Sequence, residues 1–163
     1  MPQYAAQIPE ELATFEQLTS MSGLDFMRAV ASGDIAGPPI AGHLNFRVDS
    51  VDEGEVVFRG TPEFAALNPM GTVHGGWYGT LLDSCMACAV MTMVPKGHVY
   101  TTLEYKVNIV RPIPVGMTVL ARGRVQHAGR STGIANGEIT GAEDGRVYAT
   151  GSTTCIIMKP GSA

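Results

Sequence analysis

Residues 74–94 read HGGWYGTLLDSCMACAVMTMV. From Trp77 to Val94 the run is apolar on nearly every side of a helical projection, and a helix without a polar face must be enclosed. Its length approaches the ~20 residues that span a bilayer. It holds Gly79, Thr80, Asp83, Ser84 and Thr92, however, lacks the usual aromatic and basic anchors, and stands alone among strand-like segments, so a buried core helix is expected. Asp83 is the only formally charged side chain between Glu63 and Lys96. Burying a charge without compensation is costly, so its place in this helix points to chemistry.

Working outward, the pattern changes on both sides. Glu10 to Met21 carries Leu12, Phe15 and Leu18 at helical spacing, and Leu24 to Ser32 reads as a second short helix stopped by Gly33. Both are expected to be peripheral packing helices. Ala36-Gly37-Pro38-Pro39 reads as a rigid extended linker. A hairpin follows, His43 to Val51 and Glu55 to Thr61, turning at Asp52-Glu53-Gly54. Beyond the long helix, Thr102 to Arg111 alternates, with Leu103, Tyr105, Val107 and Ile109 on one face and Thr102, Glu104, Lys106 and Asn108 on the other. Met117 to His127, Ser131 to Gly141 and Arg146 to Met158 complete an antiparallel meander. The class is α+β: one curved antiparallel sheet wrapped around one long central helix, with short N-terminal helices. Residues 1–36 form the helical extension and 37–160 the single domain. One sheet covers only part of a helix that is apolar all round, so at least a dimer is expected.

The 163 residues are 45% hydrophobic and 16% charged, enough for one compact core and too few for a second domain. A net charge of −4 offers no general field for nucleic acid or an anionic membrane, so an anionic ligand must meet a local basic cluster. Glu10, Glu11 and Glu16 precede the first basic residue, Arg28, unlike a secretory leader, and a cytoplasmic location is expected. Cys85, Cys88 and Cys155 are odd in number and lie in apolar surroundings, which argues for reduced, buried thiols. Cys85-Met86-Ala87-Cys88 lacks further metal ligands at suitable spacing. His43, His74, His98 and His127 also lack metal-ligand spacing, and no metal is expected.

The run Asn68-Pro69-Met70-Gly71-Thr72-Val73-His74-Gly75-Gly76 joins a loop to the start of the long helix. Paired glycines admit a ligand without Cβ interference, and the first helical N–H groups are free to donate, a setting that favours a developing oxyanion. Asp83 lies seven residues beyond Gly76, about 10 Å along a helix, too far for both to touch one carbonyl. Two antiparallel helices in a dimer would bring Asp83 of one chain to Gly75 of the other.

Asn68, Gly71, His74, Gly75, Gly76 and Asp83, with Arg111-Pro112 and Gly129-Arg130 later, resemble the signature of the hotdog-fold acyl-CoA thioesterases, specifically the phenylacetate-pathway (PaaI-like) family. The resemblance covers roughly residues 42–158. It implies hydrolysis of an acyl-CoA to free acid and CoA, with Asp83 as general base or nucleophile, Gly75 N–H polarising the carbonyl, and Asn68 and His74 shaping that end of the site. Thr102 falls where relatives carry a Ser or Thr near the nucleophilic water, and the adjacent Thr101 is the alternative. Coenzyme A enters as part of the substrate and no cofactor is implied. Arg130, with Ser131 beside it, is the first candidate for its phosphates, followed by Arg111, then Arg122 and Arg124. Gly76 borders the ligand; Trp77 either lines the acyl pocket or packs on the sheet. The family leans toward a homotetramer built from two dimers. Two other readings use the same site: a dehydratase or hydratase acting on acyl thioesters, and a non-enzymatic acyl-CoA binder.

Overall fold

The structure is a computed structural model that describes residues 3–160; Met1 and Pro2 of the N-terminal extension lie outside them. Four helices, α1 (Phe15–Ser20), α2 (Gly23–Ser32), α3 (Pro39–His43) and α4 (Gly75–Met91), accompany six strands: β1 (Phe46–Asp52), β2 (Glu55–Gly60), β3 (Val99–Ile109), β4 (Val119–Ala128), β5 (Thr132–Gly141) and β6 (Val147–Met158). The strands form one antiparallel sheet in the order β1-β2-β4-β5-β6-β3. The meander β4-β5-β6 stands as the turn signals predict, and β3 adds beyond β6 as an edge strand, an order that local patterning does not encode.

The central helix is the expected one, starting two residues earlier and ending three earlier. Leu81, Leu82, Cys85, Met86, Ala89 and Val90 are fully buried. Each of the larger ones contributes about 1.5–3 kcal/mol by leaving water. The sheet curls around this helix, which lies against β2 through β6. It approaches unusually closely because Gly123, Gly137 and Gly151 face one another in register across β4, β5 and β6. A methyl at Gly123 would sit 2.2 Å from the Cys85 carbonyl oxygen, and one at Gly137 2.7 Å from Met86 Cγ. Bare backbone on the sheet is what lets the helix settle there.

Several sequence expectations need correction. The single helix over Glu10–Met21 is a short 3-10 turn, Pro9–Glu11, and then α1, because Thr14 starts a new helix with a capping box to Gln17. The extended linker at residues 36–39 gives way to α3, with Pro39 at a helix start where its missing N–H costs nothing. As a result β1 begins at Phe46 instead of His43. The second predicted helix holds: Ser22 caps α2, and Gly33 ends it with φ 80°.

The largest correction is in β3, which starts at Val99. Its register shifts between Thr102 and Glu104, so Leu103 is an extra residue in the ladder. The bulge puts Thr102 on the helix side with Tyr105, which approaches Gly79, and Ile109, which approaches Gly75. Alternation alone had placed Thr102 on the opposite face.

Candidate active site

Asp83 projects from the middle of α4 and is half-buried. Its Oδ1 accepts a hydrogen bond from Thr102 Oγ1 at 3.0 Å. The β3 bulge creates this contact, and of the two candidate threonines it is Thr102 that reaches the carboxylate while Thr101 is exposed. Burial raises the proton affinity of Asp83 above the ordinary aspartate value, and the Thr102 hydroxyl partly offsets the rise by bonding the charged form. Thr102→Val is therefore expected to raise it further. The acid limb of a pH–activity profile should move to higher pH, and an unmoved limb would show that Thr102 does not bond the working carboxylate.

A second cluster forms where the loop meets α4. Asn68 spends its amide inside its own loop: Oδ1 accepts from Met70 N–H at 2.9 Å and Thr72 N–H at 3.2 Å, and Nδ2 donates to Thr72 Oγ1 at 2.8 Å. With the bridge between Leu67 and Val73 and the bond from His74 N–H to the Ala66 carbonyl, this fixes the entry into the helix. His74 caps α4, its Nδ1 accepting from Gly76 N–H at 2.8 Å. That bond selects the tautomer with the proton on Nε2. Gly75 N–H has no acceptor among the described residues and faces outward at the helix start, where the peptide dipoles favour negative charge.

The remaining candidates lie apart. Trp77 is 2% exposed, with its indole N–H donated to the Leu44 carbonyl at 2.9 Å and its ring against Gly60, so in the single chain it is a packing residue. Arg111 is half-buried and its guanidinium donates to the Val147 carbonyl. Tyr78, which sequence reasoning left aside, ties this segment to α4: its hydroxyl accepts from Ile113 N–H at 2.7 Å. Arg122 and Arg124 are both paired with Glu55 and so already neutralised. Arg130 and Ser131 are exposed in the β4–β5 turn, and Arg130 has no ion-pair partner among the described residues. The next residue, Thr132, is in register with Ile156 and, through it, Thr101. The turn thus starts about two strand spacings, roughly 10 Å, from the β3 residues beside Asp83.

The three cysteines are free thiols. Burial pushes Cys85 far up and Cys88 up to about 12, which suits packing and not nucleophilic chemistry. Among the described residues no cluster of His, Cys, Asp and Glu could hold a metal, and no helix is long and apolar enough to cross a membrane.

An apolar helix held in a curled antiparallel sheet, with a helix-start donor at one end and a half-buried carboxylate two turns on, is an arrangement shared with known proteins. Residues 70–148 match the model of the thioesterase superfamily. Mouse acyl-coenzyme A thioesterase 13 is 25% identical over 87 residues, 53% of this chain and 61% of that protein. A phenylacetic acid degradation-related protein of Ralstonia eutropha JMP134 superposes with a TM-score of 0.72 at 29% identity, covering 80% of this chain and 98% of that one. A Streptococcus mutans UA159 protein solved with acetyl-CoA superposes with a TM-score of 0.62 at 26% identity, covering 71% and 90%. The chain is a hotdog-fold member of the thioesterase superfamily. Within it, its structural neighbours are the PaaI-like thioesterases. The matches span 54% and 61% of the lengths of the curated relatives.

Proposed function

We propose that the protein hydrolyses acyl-CoA thioesters in a site shared between two copies of the chain. The observation that carries this is the half-buried Asp83 carboxylate, held by Thr102 and raised in basicity by burial. Gly75 N–H supplies the complementary group, an uncommitted donor at a helix start for the oxygen of the thioester carbonyl.

In one chain these two groups are eight residues apart on α4, about 12 Å. They converge if two helices lie antiparallel. The outer edge of β3 supports this pairing, since it is unpaired in the single chain and exposes Leu103, Tyr105 and Ile109, an apolar edge that soluble proteins seldom leave open. In this reading the dimers assemble in pairs to a homotetramer.

Water adds to the thioester carbonyl carbon and gives a proton to Asp83, while Gly75 N–H takes up the charge on the oxygen. The C–S bond then breaks and the leaving CoA sulfur recovers the proton. Direct attack by the carboxylate, followed by hydrolysis of the anhydride, uses the same groups and equally requires Asp83 ionised. Asn68 and His74 hold the Gly75 end in place, Gly76 leaves room beside it, and coenzyme A enters as substrate. Its phosphates are met by Arg130 and Ser131, with Arg111 bordering the site.

A panel of short, medium, long and aryl acyl-CoA thioesters tests the reading. Release of free thiol from at least one is expected. A folded protein that releases none, or that changes enoyl-CoA absorbance instead, would sink it.

A further inference from the structure

A cavity of about 610 Å3 lies between α4 and the N-terminal segment, within the size range of small-molecule sites. One wall is Ser84, Cys88 and Met91 of α4 with Tyr100 of β3. Ser84 is the neighbour of Asp83, and Tyr100 stands two residues before Thr102 and so on the same face of the strand. The cavity therefore begins beside the carboxylate. From Ser84 to Met91 it follows α4 for seven residues, about 10 Å.

The opposite wall is Leu12, Ala13, Leu18, Phe26 and Val30, all from the helices expected to be mere peripheral packing. Backbone bonds fix it to the body of the domain: Gly23 N–H to the Val94 carbonyl at 3.0 Å, Gly97 N–H to the Thr19 carbonyl at 3.0 Å, and Gly37 N–H to the Tyr4 carbonyl at 2.8 Å. The polar groups on the α4 wall are already satisfied, Ser84 Oγ by the Thr80 carbonyl and the Tyr100 hydroxyl by Cys88. They leave nothing to bind a charged or hydroxylated tail.

We propose that the N-terminal segment builds an acyl-chain pocket that selects medium-length, unsubstituted hydrocarbon acyl groups. This rests on the hydrolase reading only for the head group that delivers the chain. A straight chain of medium length matches the 10 Å run along α4, whereas an acetyl group would leave the cavity unfilled.

Binding of the non-hydrolysable thioethers S-octyl-CoA and S-ethyl-CoA to the full-length protein, measured by calorimetry, tests it without turnover. S-octyl-CoA is expected to bind at least about tenfold tighter, because the added methylenes leave water. Ala13→Phe should collapse that ratio toward one. Leu18→Ala, which enlarges the cavity, should shift the preference toward S-dodecyl-CoA and covers the case in which the first variant does not fold. Equal affinities in the parent protein, a ratio that neither variant moves, or no binding of either thioether would overturn the proposal. Tight S-octyl-CoA binding without thiol release from any acyl-CoA would instead overturn the hydrolase reading and leave the pocket standing.

Discussion

Asp83→Asn is expected to give a folded protein whose thioester hydrolysis falls by at least about a hundredfold, the scale at which a positioned base or nucleophile contributes. The amide keeps an oxygen to accept the Thr102 hydroxyl, so the local geometry survives, but it can neither take a proton from water nor attack a carbonyl. The loss should appear in kcat with little change in KM. Stability supplies an independent readout. Because burial raises the folded-state pKa of Asp83 above its unfolded value, the folded protein holds the proton more tightly. Stability then falls as pH rises from the unfolded to the folded pKa, and the cost is fully present above both. At neutral pH the asparagine variant should therefore melt no lower than the parent. A variant that melts clearly lower, or one that keeps its activity, would show that the carboxylate serves the structure and not the reaction.

The second large effect is on folding. Gly123→Ala adds a methyl 2.2 Å from the Cys85 carbonyl oxygen and 2.7 Å from the Met86 nitrogen. Both are backbone atoms of the central helix, so no rotamer change relieves the clash and α4 must lift from the sheet. Overpacking of this kind costs about 3 kcal/mol, or roughly 10 °C in melting temperature for a chain of this size. Gln126→Ala, three residues along the same strand and exposed, should stay within about 0.5 kcal/mol. Thermal melts of the two variants side by side check this. Similar midpoints would mean that the helix and sheet are not in contact where the glycines lie.

Sequence reasoning reached the features that single residues announce. The helix from Gly75 was legible because it is apolar all round, and Asp83 because it stands alone within it. The β5–β6 turn was legible because Asp144 and Gly145 are turn chemistry: Asp144 Oδ1 accepts from Arg146 N–H at 3.0 Å, and Gly145 has φ 65°. Features that depend on pairing were hidden. The bulge at Leu103 leaves the alternation of β3 intact to the eye while moving Thr102 to the other face, so the partner of Asp83 could be guessed only by resemblance. Gly123, Gly137 and Gly151 look like three unrelated strand glycines until the register aligns them. The apolar residues of the first two helices were read as packing, because helical spacing does not say whether a side chain fills a core or borders an empty volume.

The glycine row also bears on how the molecule fluctuates. Where side chains separate a helix from its sheet, the helix can loosen while the ladder stays paired; here the backbone of α4 at Cys85 and Met86 rests on the backbone of β4. Opening α4 uncovers the centre of the sheet, so the amides around Leu82–Met86 should exchange with solvent only through global unfolding. Asp83 sits within that slowest-exchanging stretch. The candidate catalytic group is thus held on the least yielding part of the fold, and adaptation to different substrates falls to the segments around it.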